Sequence, residues 1–182
     1  MKKLMIAACL LAASALPALA DSALKVDTSL GCSFTIKLRP DLAPNHVAQV
    51  TKLAKAGAYD NVVFHRVIDG FMAQTGDVKF GKAGGDLSQA GMGGSDEPNL
   101  KAEFTKEHYA RGVVGAARSQ DPDSANSQFF VMFADGGFLD GQYTVFGNVD
   151  EDGMKCVDKI KKGDPQSGAV DKPDVMTKVT VQ

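Results

Sequence analysis

Residues 62–77 read VVFHRVIDGFMAQTGD, and within this largely apolar run His65, Arg66 and Gln74 can make hydrogen bonds. A guanidinium is costly to surround with apolar surface unless something is there to receive it. Arg66 stays protonated, so the chemistry open to it is donation to a lone pair or developing charge. Further along come Gln128 and Phe130 in SQFF, and Phe138 and Leu139 in FLDG. With Phe71 and Met72 they form a set of apolar and amide side chains attached to one arginine. Such a set can grip an apolar group and orient polar atoms beside it.

Other chemistries find no support. The stretch GDVKFGKA approaches the phosphate-binding pattern GxxxxGK[ST], but Ala83 cannot supply the metal-binding hydroxyl and no helical period follows. His46, His65 and His108 share no HxH, HExxH or CxxC spacing, so neither a metal nor a cofactor is expected. His46 and His108 are expected on solvated surface. No GxSxG elbow is present, and the carboxylates are scattered over turns.

The elements that would position these residues are mostly short strands. Leu24 and Val26, then Phe34, Ile36 and Leu38, alternate with polar residues, with a turn at Leu30-Gly31 between the two runs. Residues 41–57 carry Val47, Val50, Leu53 and Ala54 at helical spacing, with Pro44 near the start and Gly57 as a stop. Strands are expected over residues 62–67, 112–117, 128–133, 143–149 and 174–181, and a second helix over 152–162. Residues 77–101 form a long glycine-rich loop without period, a length associated with function or disorder.

The chain opens MKKLMIAACLLAASALPALA, a basic start, an apolar run and a small-x-small site ending at Ala20. This reads as a signal peptide over residues 1–20, leaving one domain over 21–182 in the periplasm. A membrane span is disfavoured by Ser14, Pro17 and the shortness of the run, so nothing is left to hold a membrane after cleavage. The whole chain has 20 basic and 22 acidic residues; without the two leader lysines the charge is −4, which disfavours a nucleic-acid partner. Cys32 and Cys156 then remain, either as a disulfide or as two buried free thiols.

The segments FHRVIDGFMAQTGD, NSQFF and FLDGQYTVFG, in that order, resemble the cyclophilin family of peptidyl-prolyl cis/trans isomerases, in particular its exported bacterial members. The likeness runs from about Leu24 to Val181. It implies an all-β fold, a closed eight-stranded antiparallel β-barrel capped by two α-helices, in keeping with the strands and helices read above. It implies that Arg66 is catalytic, that Phe71, Met72, Phe130 and Leu139 hold the substrate proline ring, and that Gln74 lies beside Arg66 and Gln128 along the groove. His65 is assigned to structure. The implied activity is rotation of X–Pro bonds in exported proteins during folding, without covalent intermediate or metal. The partners would be proline-containing peptides and unfolded exported proteins, met by a monomer. Phe138 and Tyr143 stand where many eukaryotic relatives place Trp and His, so only weak cyclosporin binding is expected. Ala117-Arg118-Ser119-Gln120 also departs from the Ala-Asn-Ala run of those relatives and leaves the preference before proline open. The rival readings are a non-catalytic peptide-binding or chaperone module and an exported scaffold.

Overall fold

The computed structural model describes residues 23–182, so the expected signal peptide lies outside the described residues. The first two strands, β1 (Ala23–Thr28) and β2 (Ser33–Leu38), form an antiparallel hairpin with Val26 opposite Phe34 and Leu24 opposite Ile36. Their alternation buries Leu24, Val26, Phe34, Ile36 and Leu38 and turns the intervening residues outward, as a half-buried strand requires.

Helix α1 (Pro44–Lys55) buries Val47, Val50, Leu53 and Ala54 as its spacing predicts. Its N-cap, Ala43, has no side-chain oxygen to offer the free N–H groups of the first turn. Glu103 supplies it from far along the chain, accepting from Asn45 N at 3.1 Å and His46 N at 3.0 Å. The same carboxylate meets His46 Nδ1 at 2.6 Å. His46 is thus 2% exposed, correcting its expected place on solvated surface: it shares the inward face with Val50 and Leu53 because its polar edge is satisfied by Glu103.

Seven further strands follow: β3 (Val62–Val63), β4 (Arg66–Ile68), β5 (Met72–Thr75), β6 (Val113–Ala116), β7 (Phe129–Met132), β8 (Val145–Val149) and β9 (Val175–Val181). The order is β3-β9-β1-β2-β8-β6-β7-β5-β4, with every pairing antiparallel. The expected all-β fold with two helices stands, but the expected closed eight-stranded barrel is corrected to a curled nine-stranded sheet. Its edge strands β3 and β4 share no ladder and are joined only by Phe64 and His65. The single strand expected over residues 62–67 divides because the chain changes partner. Val62 and Val63 pair with β9, Phe64 N then donates to Asp174 O, and Arg66–Ile68 pairs with β5.

Helix α2 (Glu151–Val157) is capped by Asp150, which accepts from Gly153 N at 2.9 Å. It ends earlier than the expected residue 162 because Lys159 N and Ile160 N bond to carbonyls three residues back, tightening the last turn. Cys156 in this helix is disulfide-bonded to Cys32, just before β2, with Cα atoms 5.9 Å apart. Among the described residues no helix is long and apolar enough to cross a membrane.

The sheet has two apolar faces. Val67, Ala73, Val114, Phe129 and Val131 point into the main core beneath the helices. Their neighbours Met72, Val113, Phe130 and Met132 point the other way and join Tyr109, Leu139 and Val145 in a second, smaller cluster. That outer cluster is the floor of the candidate site.

Candidate active site

Register places the site residues in one row. Arg66 lies opposite Gln74 across β4 and β5, Gln74 opposite Phe130 across β5 and β7, and Phe130 opposite Gly115 across β7 and β6. Directly paired antiparallel residues share a face of the sheet. Met72, two residues from Gln74, shares that face as well.

A glycine at position 115 is required by the packing. A Cβ there would stand 2.5 Å from Phe130 Cζ and 2.6 Å from the Tyr109 hydroxyl. Its absence lets Phe130 stack on Tyr109, with centroids 5.8 Å apart, while Tyr143 meets Phe130 edge-on at 5.9 Å. Phe71 and Phe138 form the opposite rim at 5.5 Å. Between the rims lies a cavity of about 440 Å³, whose lining includes Arg66, Phe71, Met72, Gln74, Phe130, Phe138, Leu139 and Tyr143. Phe130 and Leu139 are 6% and 7% exposed, whereas Phe138 is 66% exposed and forms a lip rather than a floor.

Arg66 is steadied by three partners, none of them charged. Its Nε donates to Ser167 O at 3.1 Å, and its Nη1 donates to Gln74 Oε1 at 3.4 Å and lies 3.9 Å from Met72 Sδ. Among the described residues no carboxylate pairs with it. The guanidinium is oriented without being neutralised, and its positive field remains directed at the cavity.

The orientation is relayed from the long loop. Gln74 Nε2 donates to Gln128 Oε1 at 3.0 Å, and Gln128 Nε2 donates to Gly91 O at 2.9 Å and Gly93 O at 2.7 Å. Those two glycines donate their own N–H groups to buried Asp77 Oδ2 at 2.8 and 2.9 Å. Asp77 Oδ1 also accepts from Lys79 N and Phe80 N. Residues 77–101 are therefore an ordered loop that buttresses Gln128.

His65, beside Arg66, packs against Gly91, and neither ring nitrogen has a hydrogen-bond partner. Burial, aided by the Arg66 charge, pushes its pKa below the ordinary histidine value against the pull of Asp77. A neutral ring beside Arg66 adds no repulsion to the site.

All nine residues expected at the site thus converge except Gln128, which braces Gln74 from behind and lines a neighbouring recess of about 290 Å³. Sequence reasoning missed Ser167, which contributes only a backbone carbonyl and so leaves no side-chain signal, and Asp77, whose bonds to Gly91 and Gly93 reach 14 and 16 residues along the chain. Arg118, which departs from the Ala-Asn-Ala run of eukaryotic relatives, lines both the cavity and the recess. Among the described residues no group of three or more His, Cys, Asp or Glu could hold a metal ion.

Comparison with known proteins leads to the same place. The family model described as cyclophilin type peptidyl-prolyl cis-trans isomerase/CLD matches residues 23–181. Proteins named probable peptidyl-prolyl cis-trans isomerase from Brucella suis and Brucella melitensis are 61% identical over 150 residues, covering 81% of this chain and 76% of theirs. A cyclophilin crystal structure from Hirschia baltica superposes with TM-score 0.73 at 26% identity, covering 88% of this chain and 73% of that one. A cyclophilin-type isomerase of Cryptosporidium parvum, crystallised in the presence of the dipeptide Ala-Pro, has the same fold, with TM-score 0.73 at 22% identity over 88% of this chain and 98% of that one. With a family model spanning nearly every described residue and a curled sheet of the same shape, the chain belongs to the cyclophilin family and is a peptidyl-prolyl cis-trans isomerase.

Proposed function

We propose that this isomerase acts on X–Pro bonds of exported proteins in the periplasm, with Arg66 as its catalytic residue and without covalent intermediate or metal. The observation that carries the proposal is a guanidinium that no carboxylate pairs with among the described residues, at the edge of a cavity floored by Met72, Phe130 and Leu139. An X–Pro amide resists rotation because its nitrogen lone pair is delocalised into the carbonyl, giving a barrier of about 20 kcal/mol and times of tens to hundreds of seconds. Halfway through rotation the lone pair is localised on nitrogen and can accept a hydrogen bond. Arg66 donates to it there and has nothing comparable to donate to in either ground state, so the interaction is stronger in the transition state.

Reaching milliseconds requires roughly 10⁴-fold, or about 5 to 6 kcal/mol. One charge-assisted hydrogen bond supplies about 1.5 to 3 kcal/mol. The remainder is assigned to Phe71, Met72, Phe130 and Leu139, which hold the ring while the preceding carbonyl turns and keep water from stabilising the planar amide. Phe138 offers a ring face but no N–H donor, so cyclosporin inhibits only weakly.

Export is supported by the leader-like residues 1–20 and by the Cys32–Cys156 disulfide, a bond that persists in oxidising compartments. The test has two parts. Titration with a proline peptide should shift the amide NMR signals of Phe130 and Leu139 selectively, whereas an unperturbed cavity would refute the placement of the proline ring. Cell fractionation with intact-mass measurement should find a periplasmic chain beginning at Asp21; a cytoplasmic chain retaining residues 1–20 would overturn the export reading.

A further inference from the structure

Arg118 is the second guanidinium at the groove, and it stands on the ridge shared by the proline cavity and the adjoining recess. It lies over the Tyr143 ring at 4.3 Å. Its Nε and Nη2 donate to Gln142 O at 3.3 and 2.9 Å, and its Nη1 donates to Ser119 O at 2.9 Å and to Gln120 O at 3.5 Å. Every one of these acceptors is a backbone carbonyl. Carbonyls and a ring face fix a guanidinium in place but leave its charge intact.

The nearby acids are engaged elsewhere. Asp121 accepts from Asp123 N, Asp123 accepts from Ala102 N, and Asp140 is shared by His108 and Tyr109 N. Among the described residues no carboxylate forms an ion pair with Arg118. Two cations, Arg66 and Arg118, therefore face one cavity in a chain whose net charge is −2. A peptide that places its proline in the cavity and runs on into the recess passes beneath Arg118.

From this arrangement we infer that the groove selects substrates carrying an acidic side chain within two residues of the proline, with Arg118 as the residue that selects them. The inference rests on the reading of the cavity as the proline site. The guanidinium is already immobilised, so a substrate carboxylate gains its attraction without ordering a flexible side chain. Being partly exposed, the pairing is worth about two- to fivefold in kcat/KM at low salt and fades as ionic strength rises.

Exchange NMR on short peptides with Glu, or isosteric neutral Gln, at each of the two positions on either side of the proline tests this directly. At one position at least, the wild-type Glu-to-Gln ratio of kcat/KM should reach about two to five at low salt and approach one at about 0.5 M salt. Arg118→Gln should bring the low-salt ratio to one, and Arg118→Lys should retain part of it. The wild-type salt series carries the test if either variant fails to fold. Turnover of all peptides with ratios of one throughout would overturn the inference while leaving the proline site standing. Absence of turnover with every peptide would overturn both.

Discussion

Gln74 sits directly across the β4–β5 hairpin from Arg66 and accepts a hydrogen bond from its Nη1 at 3.4 Å, while its own amide nitrogen donates to Gln128. The partner chosen for the cation is thus a neutral amide held from behind. Gln74→Ala removes both the acceptor that orients Arg66 and the bond to Gln128, and should lower kcat/KM by about two- to tenfold. Gln74→Glu should be worse, because a carboxylate at that distance would pair with Arg66 and cancel the field it presents to the substrate. Peptide exchange rates for the two variants check the order; a Glu variant more active than the Ala variant would contradict it.

Glu103 joins α1 to the loop that precedes the site by binding two first-turn N–H groups and the ring of His46. Partial burial pushes its carboxyl pKa up, but the His46 ring and the N–H groups of His46 and Asn45 outweigh this and hold it below the usual carboxylate value. A depressed carboxyl contributes stability above its ordinary pKa that is lost as pH falls through the folded one. Glu103→Ala should cost about 2 kcal/mol in denaturant unfolding near neutrality, through a lost cap and an orphaned buried histidine. The loss should shrink in acid; a pH-independent deficit would contradict this.

His108 lies between Asp140, 2.8 Å from Nδ1, and Asp135, 2.6 Å from Nε2, and so brackets the turn carrying Phe138 and Leu139. Hydrogen bonds donated by its ring to Asp140 and then to Asp135 raise its pKa above the ordinary histidine value. A proton held more tightly by the folded chain adds stability that is fully present below the ordinary value and disappears as pH rises through the raised one. Thermal unfolding of wild type and His108→Gln from about pH 5 to pH 9 should show a Tm gap that closes as pH rises. A gap that widens with pH would contradict the assignment.

The Cys32–Cys156 disulfide closes a separation of 124 residues and ties the start of β2 to α2, far along the chain from the site row. Replacing both cysteines with Ala should cost about 2 to 4 kcal/mol, chiefly by freeing the unfolded chain. Turnover at a temperature where the variant is folded should be retained. An equal loss of kcat in the folded variant would show that the bond also supports the cavity.

Where one face of an element is buried, its pattern was legible in the sequence: β1, β2 and α1 follow from the spacing of Leu24, Val26, Phe34, Ile36, Val47, Val50 and Leu53. Strand β5 was not, because Met72, Ala73 and Thr75 are all buried and only Gln74 breaks the run, so no alternation shows. Nor was the division of β3 from β4, which depends on the distant residues 168–174 taking over as partners. The inward turn of His46 depends on Glu103, 57 residues away. The site residues are legible through the family resemblance of their motifs and not through any periodicity. What the sequence alone could not show is that register sets Arg66, Gln74 and Phe130 in a single row, or that Ser167 lends a carbonyl to the guanidinium.

Stabilisation of the twisted amide by Arg66 is tested most directly by the exchange rate of a proline peptide measured by NMR with wild type and Arg66→Ala, each first shown to be folded. A loss of about 10- to 150-fold in kcat/KM is expected, the worth of one charge-assisted hydrogen bond made only in the transition state. A folded Arg66→Ala variant that turns the peptide over within twofold of wild type would contradict it.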